Sequence, residues 1–224
     1  MCCYILITGC SLFWFVLSLI ADLLIVSSIV TPKWLIGPTL EVEHSSSSNV
    51  TAYRYASVGI YTRCKTMERI GYHCGPFDLD GFGTDSRVYP PEWKACMFFM
   101  SMGCVILALT VLLTMVTCCR QSIFGKSIHN LTACAQVISG ICVMLGVFLH
   151  PLGWGAKRVI ILCGSDSEAF NPGMCTIGFS FYSAIFGIIL CFICAGISLK
   201  AEASNMRAHV KRRVEEGDRL VCVP

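Results

Sequence analysis

The chain has 224 residues, of which 55% are hydrophobic and only 14% are charged, and its mean hydropathy is +0.68. Soluble domains carry about a quarter charged residues, so this composition indicates a protein whose main solvent is lipid. The net charge of +3 is small and no dense basic stripe is present, which excludes nucleic acid as a partner.

Four segments are apolar and long enough to cross a bilayer, which takes about 20 residues of helix. The first segment is broken only by Asp22. It lacks the basic start and the small-residue cleavage site of a secretory signal, so we expect it to remain as an anchor. The four predicted spans are 5–30, 95–118, 131–149 and 176–199.

The spans divide the rest of a single tetraspan domain into two loops, a turn and a tail. Because the turn is short, the second and third spans should be antiparallel neighbours. The connecting segments are a first loop at 31–94, a turn at 119–130, a second loop at 150–175 and a tail at 200–224.

The orientation of the chain follows from charge and glycosylation signals. The overall Lys/Arg count hardly separates the two sides, but the basic cluster after the fourth span lies close to the membrane and favours a cytoplasmic tail. Asn49 begins an Asn-Val-Thr glycosylation sequon in the first loop, which agrees with an extracellular loop. We therefore expect a multi-pass plasma-membrane protein with both termini cytoplasmic, and an endomembrane pool remains compatible with the sequence.

The first loop has a strand-like pattern with two cysteines. Residues 53–64 roughly alternate aromatic or β-branched residues with polar ones, and 70–74 can pair with them, so a small antiparallel sheet is predicted. On the oxidising side of a membrane, Cys64 and Cys74 on neighbouring strands favour a disulfide, which stabilises such a sheet by about 3 kcal/mol in the chain-entropy model. A zinc site is the alternative, but neither cysteine belongs to a CxxC pair and no fourth ligand lies at a usual spacing.

The second loop carries its own pair, Cys163 and Cys175. We predict a second disulfide within this loop. Exchange with the cysteines of the first loop stays open, because four cysteines allow three pairings.

Three tryptophans lie at the outer ends of the first three predicted spans. Amphipathic indole rings favour the membrane–water interface, so we favour membrane anchoring over contact with a partner for all three. They are Trp34, Trp93 and Trp154.

Several motifs together resemble a known family. A Trp just after the first span, a Gly-aliphatic-aromatic-x-x-Cys and a second Cys about ten residues later resemble the signature of claudin-type tetraspan proteins. The chain is more narrowly similar to the lipoma HMGIC fusion partner-like family. The matching runs are WLIG at 34–37, GIYTRC at 59–64, CGP at 74–76, HPLGWG at 150–155 and EEGDRLVC at 215–222.

This resemblance implies an α-helical membrane protein with a claudin-like fold, in which a left-handed bundle of four transmembrane helices carries a small extracellular antiparallel β-sheet. It also implies a function without catalysis and without a cofactor. Relatives act as auxiliary subunits or trafficking partners of channels, receptors and adhesion proteins, so the expected partners are lipid and another integral membrane protein.

Asp22 is an acid deep within a predicted span, about 13 Å along the helix from Thr31. Charged groups at such depth are costly and usually face protein or water. Two interpretations remain open. The carboxyl group contacts a partner helix or latches the bundle, or it is a neutral or water-bonded side chain beneath the sheet.

A CxxC motif lies in the fourth span at Cys191 and Cys194. A four-span protein with this motif in its last helix resembles the vitamin K epoxide reductases, which makes a thiol–disulfide redox enzyme the remote alternative. Close helix packing is favoured instead, because small residues at every fourth position let helices approach each other. This stripe comprises Ser183, Gly187, Cys191 and Ala195.

Two pairs of cysteines lie at the inner ends of spans and are candidates for palmitoylation, with free thiols as the alternative. They are Cys2, Cys3, Cys118 and Cys119.

The sequence thus favours an auxiliary subunit over a claudin-like adhesion or paracellular barrier protein. The first loop has nearly equal numbers of acidic and basic residues, whereas a selective pore would show one dominant sign of charge. Self-association remains compatible with both functions.

Overall fold

The computed structural model describes residues 5–44, 51–67, 71–77, 82–117, 122–123, 126–205 and 220–223. Four of its five α-helices are long. They are α1 (Gly9–Val30), α2 (Pro91–Thr117), α3 (Ile128–Leu152) and α5 (Phe179–Asn205), whereas α4 (Lys157–Cys163) is short and follows a 3-10 turn at Gly153–Gly155.

The four long helices are long and apolar enough to cross a membrane, with mean hydropathies of 2.0 to 2.5. The tetraspan, claudin-like fold class is therefore confirmed. Each of these helices also exposes a phenylalanine whose side chain is 58 to 61% accessible: Phe13, Phe98, Phe148 and Phe186. Such large exposed apolar groups are unfavourable in water and suit contact with lipid.

The helix ends differ from the predicted spans for local reasons. Helix α1 begins at Gly9 because the preceding strand β1 (Ile5–Thr8) pairs in parallel with β9 (Leu220–Val223). Helix α2 begins four residues before the predicted span, at Pro91. Proline suits the first helical turn, where its missing N–H group leaves no hydrogen bond unmade, and Glu92 beside it favours the positive end of the helix dipole.

The predicted antiparallel sheet is present and larger than expected. Its strands are β2 (Leu35–His44), β3 (Thr51–Val58), β4 (Thr62–Met67), β5 (Gly71–Pro76) and β8 (Thr176–Ile177). Their order in the sheet is β5-β4-β3-β2-β8, and the pairings between neighbours are antiparallel.

Strand β8 comes from the second loop and adds an edge beside β2, where Leu35 lies opposite Ile177. A further short hairpin pairs β6 (Ser122–Ile123) with β7 (Lys126–Ser127) in the turn between α2 and α3.

The chain divides into two compact units. The termini unit comprises Met1–Ile25, Met102–Val143 and Phe186–Pro224. The sheet unit comprises Val26–Ser101 and Met144–Ile185, and therefore contains the five-stranded sheet, both disulfides and α4.

Apolar side chains from the sheet, α2 and the second loop form the core of the sheet unit. Burying one large apolar side chain contributes about 1.5–3 kcal/mol to stability, so this cluster holds the strands against the helix ends. Its buried members are Leu35, Val58, Trp93, Trp154, Ala156, Val159, Cys163 and Cys175.

The termini unit has a polar chain inside its packed helices. Trp14 Nε1 donates a hydrogen bond to Gln136 Oε1 at 3.4 Å. Gln136 Nε2 donates in turn to Ser18 Oγ at 2.8 Å, and the Trp14 ring lies 4.8 Å from the ring of His129. Buried polar groups joined in this way avoid the cost of an unmade hydrogen bond and specify how the helices face each other.

Candidate functional site

The three tryptophans expected at the membrane interface are buried in the sheet unit. Trp34 Nε1 donates to the Ser28 carbonyl at 2.7 Å, and Trp93 Nε1 donates to the Ile60 carbonyl at 3.1 Å. A buried indole needs a protein acceptor for its N–H group, and each of these rings has one. The expectation of membrane anchoring is therefore corrected: these rings pack in the interior of the protein.

His150 lies at the centre of this aromatic cluster and is fully buried. Its ring centroid is 4.5 Å from that of Trp34 and 5.1 Å from that of Trp93. Its Nδ1 accepts a hydrogen bond from Trp154 Nε1 at 3.1 Å, so the neutral ring carries its proton on Nε2. The cluster joins α2, α3 and the segment after α1 into one rigid support for the sheet.

The GIYTRC run of the sequence has a physical explanation. A Cβ atom on Gly59 would lie 2.8 Å from Pro32 Cα and 2.9 Å from the Thr31 carbonyl oxygen, so only glycine fits without a backbone shift. Ile60 provides the acceptor for Trp93. Tyr61 bonds through its hydroxyl group to the Met97 carbonyl at 2.5 Å and to the hydroxyl of Ser101 on α2. The motif thus fastens the β3–β4 turn to α2 and packs it against the segment that follows α1.

The cysteines of the two loops are joined within each loop. Cys64 and Cys74 lie directly opposite each other on β4 and β5 and form a disulfide. Cys163, at the end of α4, is bonded to Cys175 just before β8. Over the described ranges, no group of three or more His, Cys, Asp or Glu side chains could hold a metal ion. The first crosslink joins two strands of the sheet, and the second joins the end of α4 to the residue that precedes β8.

The small-residue stripe of α5 is buried at all four positions, Ser183, Gly187, Cys191 and Ala195. In the termini unit, a Cβ on Gly187 would lie 2.7 Å from Ile25 Cγ1 of α1. In the sheet unit, Ser183 Oγ lies 3.2 Å from Ser27 Oγ. Close approach of α5 and α1 therefore explains the stripe. Cys191 and Cys194 are both buried and unbonded, as the packing interpretation expects.

Three small residues of α3 pack against two different neighbouring helices. A Cβ on Gly140 would lie 3.4 Å from Cys191 Cβ of α5. Ser139 instead donates to the Gly103 carbonyl of α2 at 2.7 Å, and Gly146 packs against Met100 of α2. Residues 139 and 146 share one helix face because they are seven apart, whereas residue 140 is rotated by about 100°.

Asp22 lies on α1 within the termini unit and is partly buried. Its Oδ1 atom is inaccessible and has no hydrogen-bond partner among the described residues. A buried carboxylate oxygen that accepts no hydrogen bond lowers the stability of the fold, because its lost hydration is not replaced. Both interpretations of Asp22 therefore stay predictions.

Arg158 on α4 was not identified from the sequence. Its guanidinium carbon lies 3.7 Å from the ring centroid of Tyr89 and 4.3 Å from that of Phe77, and its Nε donates to the Val88 carbonyl at 2.9 Å. Burial lowers the pKa of Arg158, partly opposed by a hydrogen bond to Tyr89. An arginine is the side chain that such stacking requires, but only the fold brings residues this distant together.

Five candidate modification sites lie outside the described residues. They are the sequon residue Asn49 and the candidate acylation sites Cys2, Cys3, Cys118 and Cys119. Glycosylation and acylation therefore stay predictions.

Comparisons with known proteins agree over nearly the whole chain. A family model described as lipoma HMGIC fusion partner-like protein matches residues 10–200. The chain is 33% identical to the LHFPL tetraspan subfamily member 2a protein of Danio rerio over 227 residues. It is also 33% identical to the LHFPL tetraspan subfamily member 2 protein of Homo sapiens over 230 residues. Each alignment covers 99% of both chains.

A more distant similarity covers part of the chain. The LHFPL tetraspan subfamily member 4 protein of Mus musculus is 28% identical over 112 residues, which are 49% of this chain and 43% of that protein. The resemblance inferred from the sequence motifs is thereby confirmed.

Proposed function

Because the chain belongs to the lipoma HMGIC fusion partner-like family of tetraspan membrane proteins, we propose that it is a non-enzymatic auxiliary subunit or trafficking partner of another integral membrane protein. The channel, receptor or adhesion protein that it accompanies would lie in the same membrane. The four long apolar helices support contact with lipid and with neighbouring helices.

The observation that carries this proposal is the firm attachment of the sheet to the helices. Two disulfides, the aromatic cluster around His150 and the hydroxyl contacts of Tyr61 hold the sheet in one conformation. A surface that is already ordered loses little conformational entropy when a partner binds, so more of the contact energy appears as affinity. Rigid display of this kind suits a binding role.

The edge formed by β5 is the contact surface that we favour. Strand β5 ends the sheet on one side, and His73 on it is exposed. Tyr55 on β3 is also exposed, at 46%. An edge strand presents unpaired backbone groups that can pair with another chain.

The membrane and orientation of the chain belong to the same proposal. The basic cluster of the tail and the sequon at Asn49 support a plasma-membrane protein with cytoplasmic termini. We expect an N-glycosidase to increase the mobility of the protein from cell-surface membranes, and Asn49→Gln to abolish this change. A surface-labelled wild-type protein that carries no glycan would contradict this orientation argument.

The test of the proposed function uses photo-crosslinking in native membranes. A photoreactive amino acid is placed at Tyr55 or His73 on the sheet, and at Phe186 on α5 as a control for contacts within the lipid. We expect the photoreactive residues on the sheet to capture a second membrane protein in near-stoichiometric amount. Capture of only the same chain, through facing loops, would support an adhesion function instead.

A further inference from the structure

A cavity of ≈ 370 Å³ lies on the sheet unit beside α4. Its walls come from β3, β4, the segment that precedes α2, and α4 itself. This volume falls at the lower end of the range of about 300–1,000 Å³ for small-molecule sites. The cavity is distinct from the exposed edge at β5 that the proposed function uses.

The charged side chains that line the cavity in the described part of the chain all have one sign. Four basic side chains line it, namely Arg63, Lys65, Lys157 and Arg158, and no acidic residue is among its described lining residues. A concave surface of low polarity that is lined by one sign of charge concentrates ligands of the opposite sign. The cavity is therefore suited to an anionic ligand.

Two of these cations share one aromatic ring. The guanidinium carbons of Arg63 and Arg158 lie 5.7 Å and 4.3 Å from the centroid of Phe77. The positive charge of Arg63 also contributes to the lowered pKa of Arg158, after the larger effect of burial. An anion placed beside both groups would offset their mutual repulsion and favour their charged forms.

Arg158 is held in place before any ligand binds. Its Nε donates to the Val88 carbonyl, and Tyr89 and Phe77 contact its guanidinium group. Its Nη1 atom is buried and has no hydrogen-bond partner in the described ranges. A guanidinium group that is already held in this way is well suited to a carboxylate, because it loses little conformational freedom when it forms charge-assisted hydrogen bonds.

Apart from Ser57, the rest of the lining is apolar, and it adjoins the membrane-spanning helices. Leu162 and Phe77 contribute to the wall, and Ile161 is 76% exposed beside them. Helix α4 begins two residues after the third span ends at Gly155, and Val88 precedes α2 by three residues. Amphiphilic molecules collect where a chain enters a membrane, because their head and tail prefer different media.

We propose that this cavity binds a single-chain anionic amphiphile of the fatty-acid class. The carboxylate lies among the four basic side chains, and the acyl chain lies along Phe77, Ile161 and Leu162 towards the membrane. The small volume favours one chain over the two chains of a phospholipid. The apolar wall beside the membrane favours a lipid over an acidic segment of another protein.

The test uses the full chain in phosphatidylcholine nanodiscs. A photoreactive C16 fatty acid and its methyl ester are added in separate samples, and labelled peptides are identified by mass spectrometry. We expect the acid to label the peptides of β4 and α4, and the ester to label them about tenfold less, because the ester lacks the charge-assisted contacts. Equal labelling by acid and ester would overturn the proposal.

A matched pair of variants identifies the charge requirement. Lys65→Gln with Lys157→Gln removes two charges that line the cavity, whereas Lys33→Gln with Lys94→Gln removes two that do not. We expect labelling by the acid to fall about tenfold in the first variant only. A correctly folded first variant, with both disulfides intact, that keeps full labelling would overturn the proposal.

A third variant tests the charge requirement independently, in case the double substitution prevents folding. Ile161→Asp changes an exposed side chain at the cavity and introduces a negative charge there. It should reduce labelling by the acid more than labelling by the ester, because only the acid is repelled by the new charge while both lose the same apolar contact. A photoreactive residue at position 161 that captures an acidic protein segment in cells, and no fatty acid, would show that the occupant is a protein and contradict the proposal.

Discussion

Gly59 occupies a position where any side chain would collide with the backbone. The atoms that a Cβ would meet are Pro32 Cα and the Thr31 carbonyl oxygen, at 2.8 Å and 2.9 Å. Neither can move away by a change of rotamer, so the backbone of the loop after α1 would have to shift. The adjacent residues Ile60 and Tyr61 make the contacts that depend on this close approach.

We predict that Gly59→Ala destabilises the protein by about 1–3 kcal/mol, the usual cost of forcing extra atoms into a packed site. Thermal unfolding of the purified protein in mild detergent, followed by tryptophan fluorescence, measures this change. Gly155→Ala is the control, because a Cβ there meets nothing within 4 Å. Equal melting temperatures for the two variants would refute the steric explanation.

Individual site residues were predictable only where the sequence carries a local signal. The spacing of Cys64 and Cys74 in alternating segments indicated their pairing, and they lie opposite each other in the sheet. The burial of Trp34 was missed, because an amphipathic ring suits both an interface and an interior. Arg158 was missed because its acceptor, the Val88 carbonyl, is 70 residues away.

Helix α5 provides a direct comparison of two glycines on one element. Gly187 faces α1, where a Cβ would lie 2.7 Å from Ile25 Cγ1, whereas Gly196 is exposed and a Cβ there meets nothing within 4 Å. Both positions are helical. The pair therefore separates helix packing from the intrinsic conformational preference of glycine.

We expect Gly187→Leu to destabilise the protein by at least about 1 kcal/mol, since it separates α5 from α1. Gly196→Leu should stay within about 0.5 kcal/mol of the wild type, as is usual for exposed positions. Melting temperatures in one detergent provide the comparison. If both variants melt at the wild-type temperature, close packing does not explain the small-residue stripe.

The elements themselves were largely predictable from hydropathy and alternation. All four spans are long apolar helices, because lipid requires a backbone whose hydrogen bonds are satisfied within the segment. Helix α2 begins earlier than its predicted span, at Pro91, because proline suits the first turn of a helix. Strand β8 was missed because it has only two residues and is defined by its pairing with β2 rather than by its own pattern.

The protein combines a sheet that is fastened to helix ends with helices that expose apolar side chains and carry an acid, Asp22, deep within a span. The family establishes the membrane setting, and the attached sheet supports a binding role. We propose Asp22 as a second means of contact, through the part of its side chain that stays accessible. A polar group within a span commonly joins helices by hydrogen bonds.

We expect Asp22→Leu to reduce capture of the partner protein about tenfold, as the loss of one intramembrane polar contact would. Asp22→Asn keeps the size and the hydrogen-bonding capacity of the side chain and should retain most of the capture. Surface expression and melting temperature should change little in either variant. Unchanged capture with Asp22→Leu would assign this residue no role in the complex.

The auxiliary-subunit proposal is tested most directly by covalent crosslinking in native membranes, followed by purification in mild detergent and quantification of every protein that co-purifies. We predict that one membrane protein other than this chain co-purifies in near-stoichiometric amount, with crosslinks that map to the sheet unit or to α1. Recovery of the chain alone, or with crosslinks only between copies of itself, would contradict it.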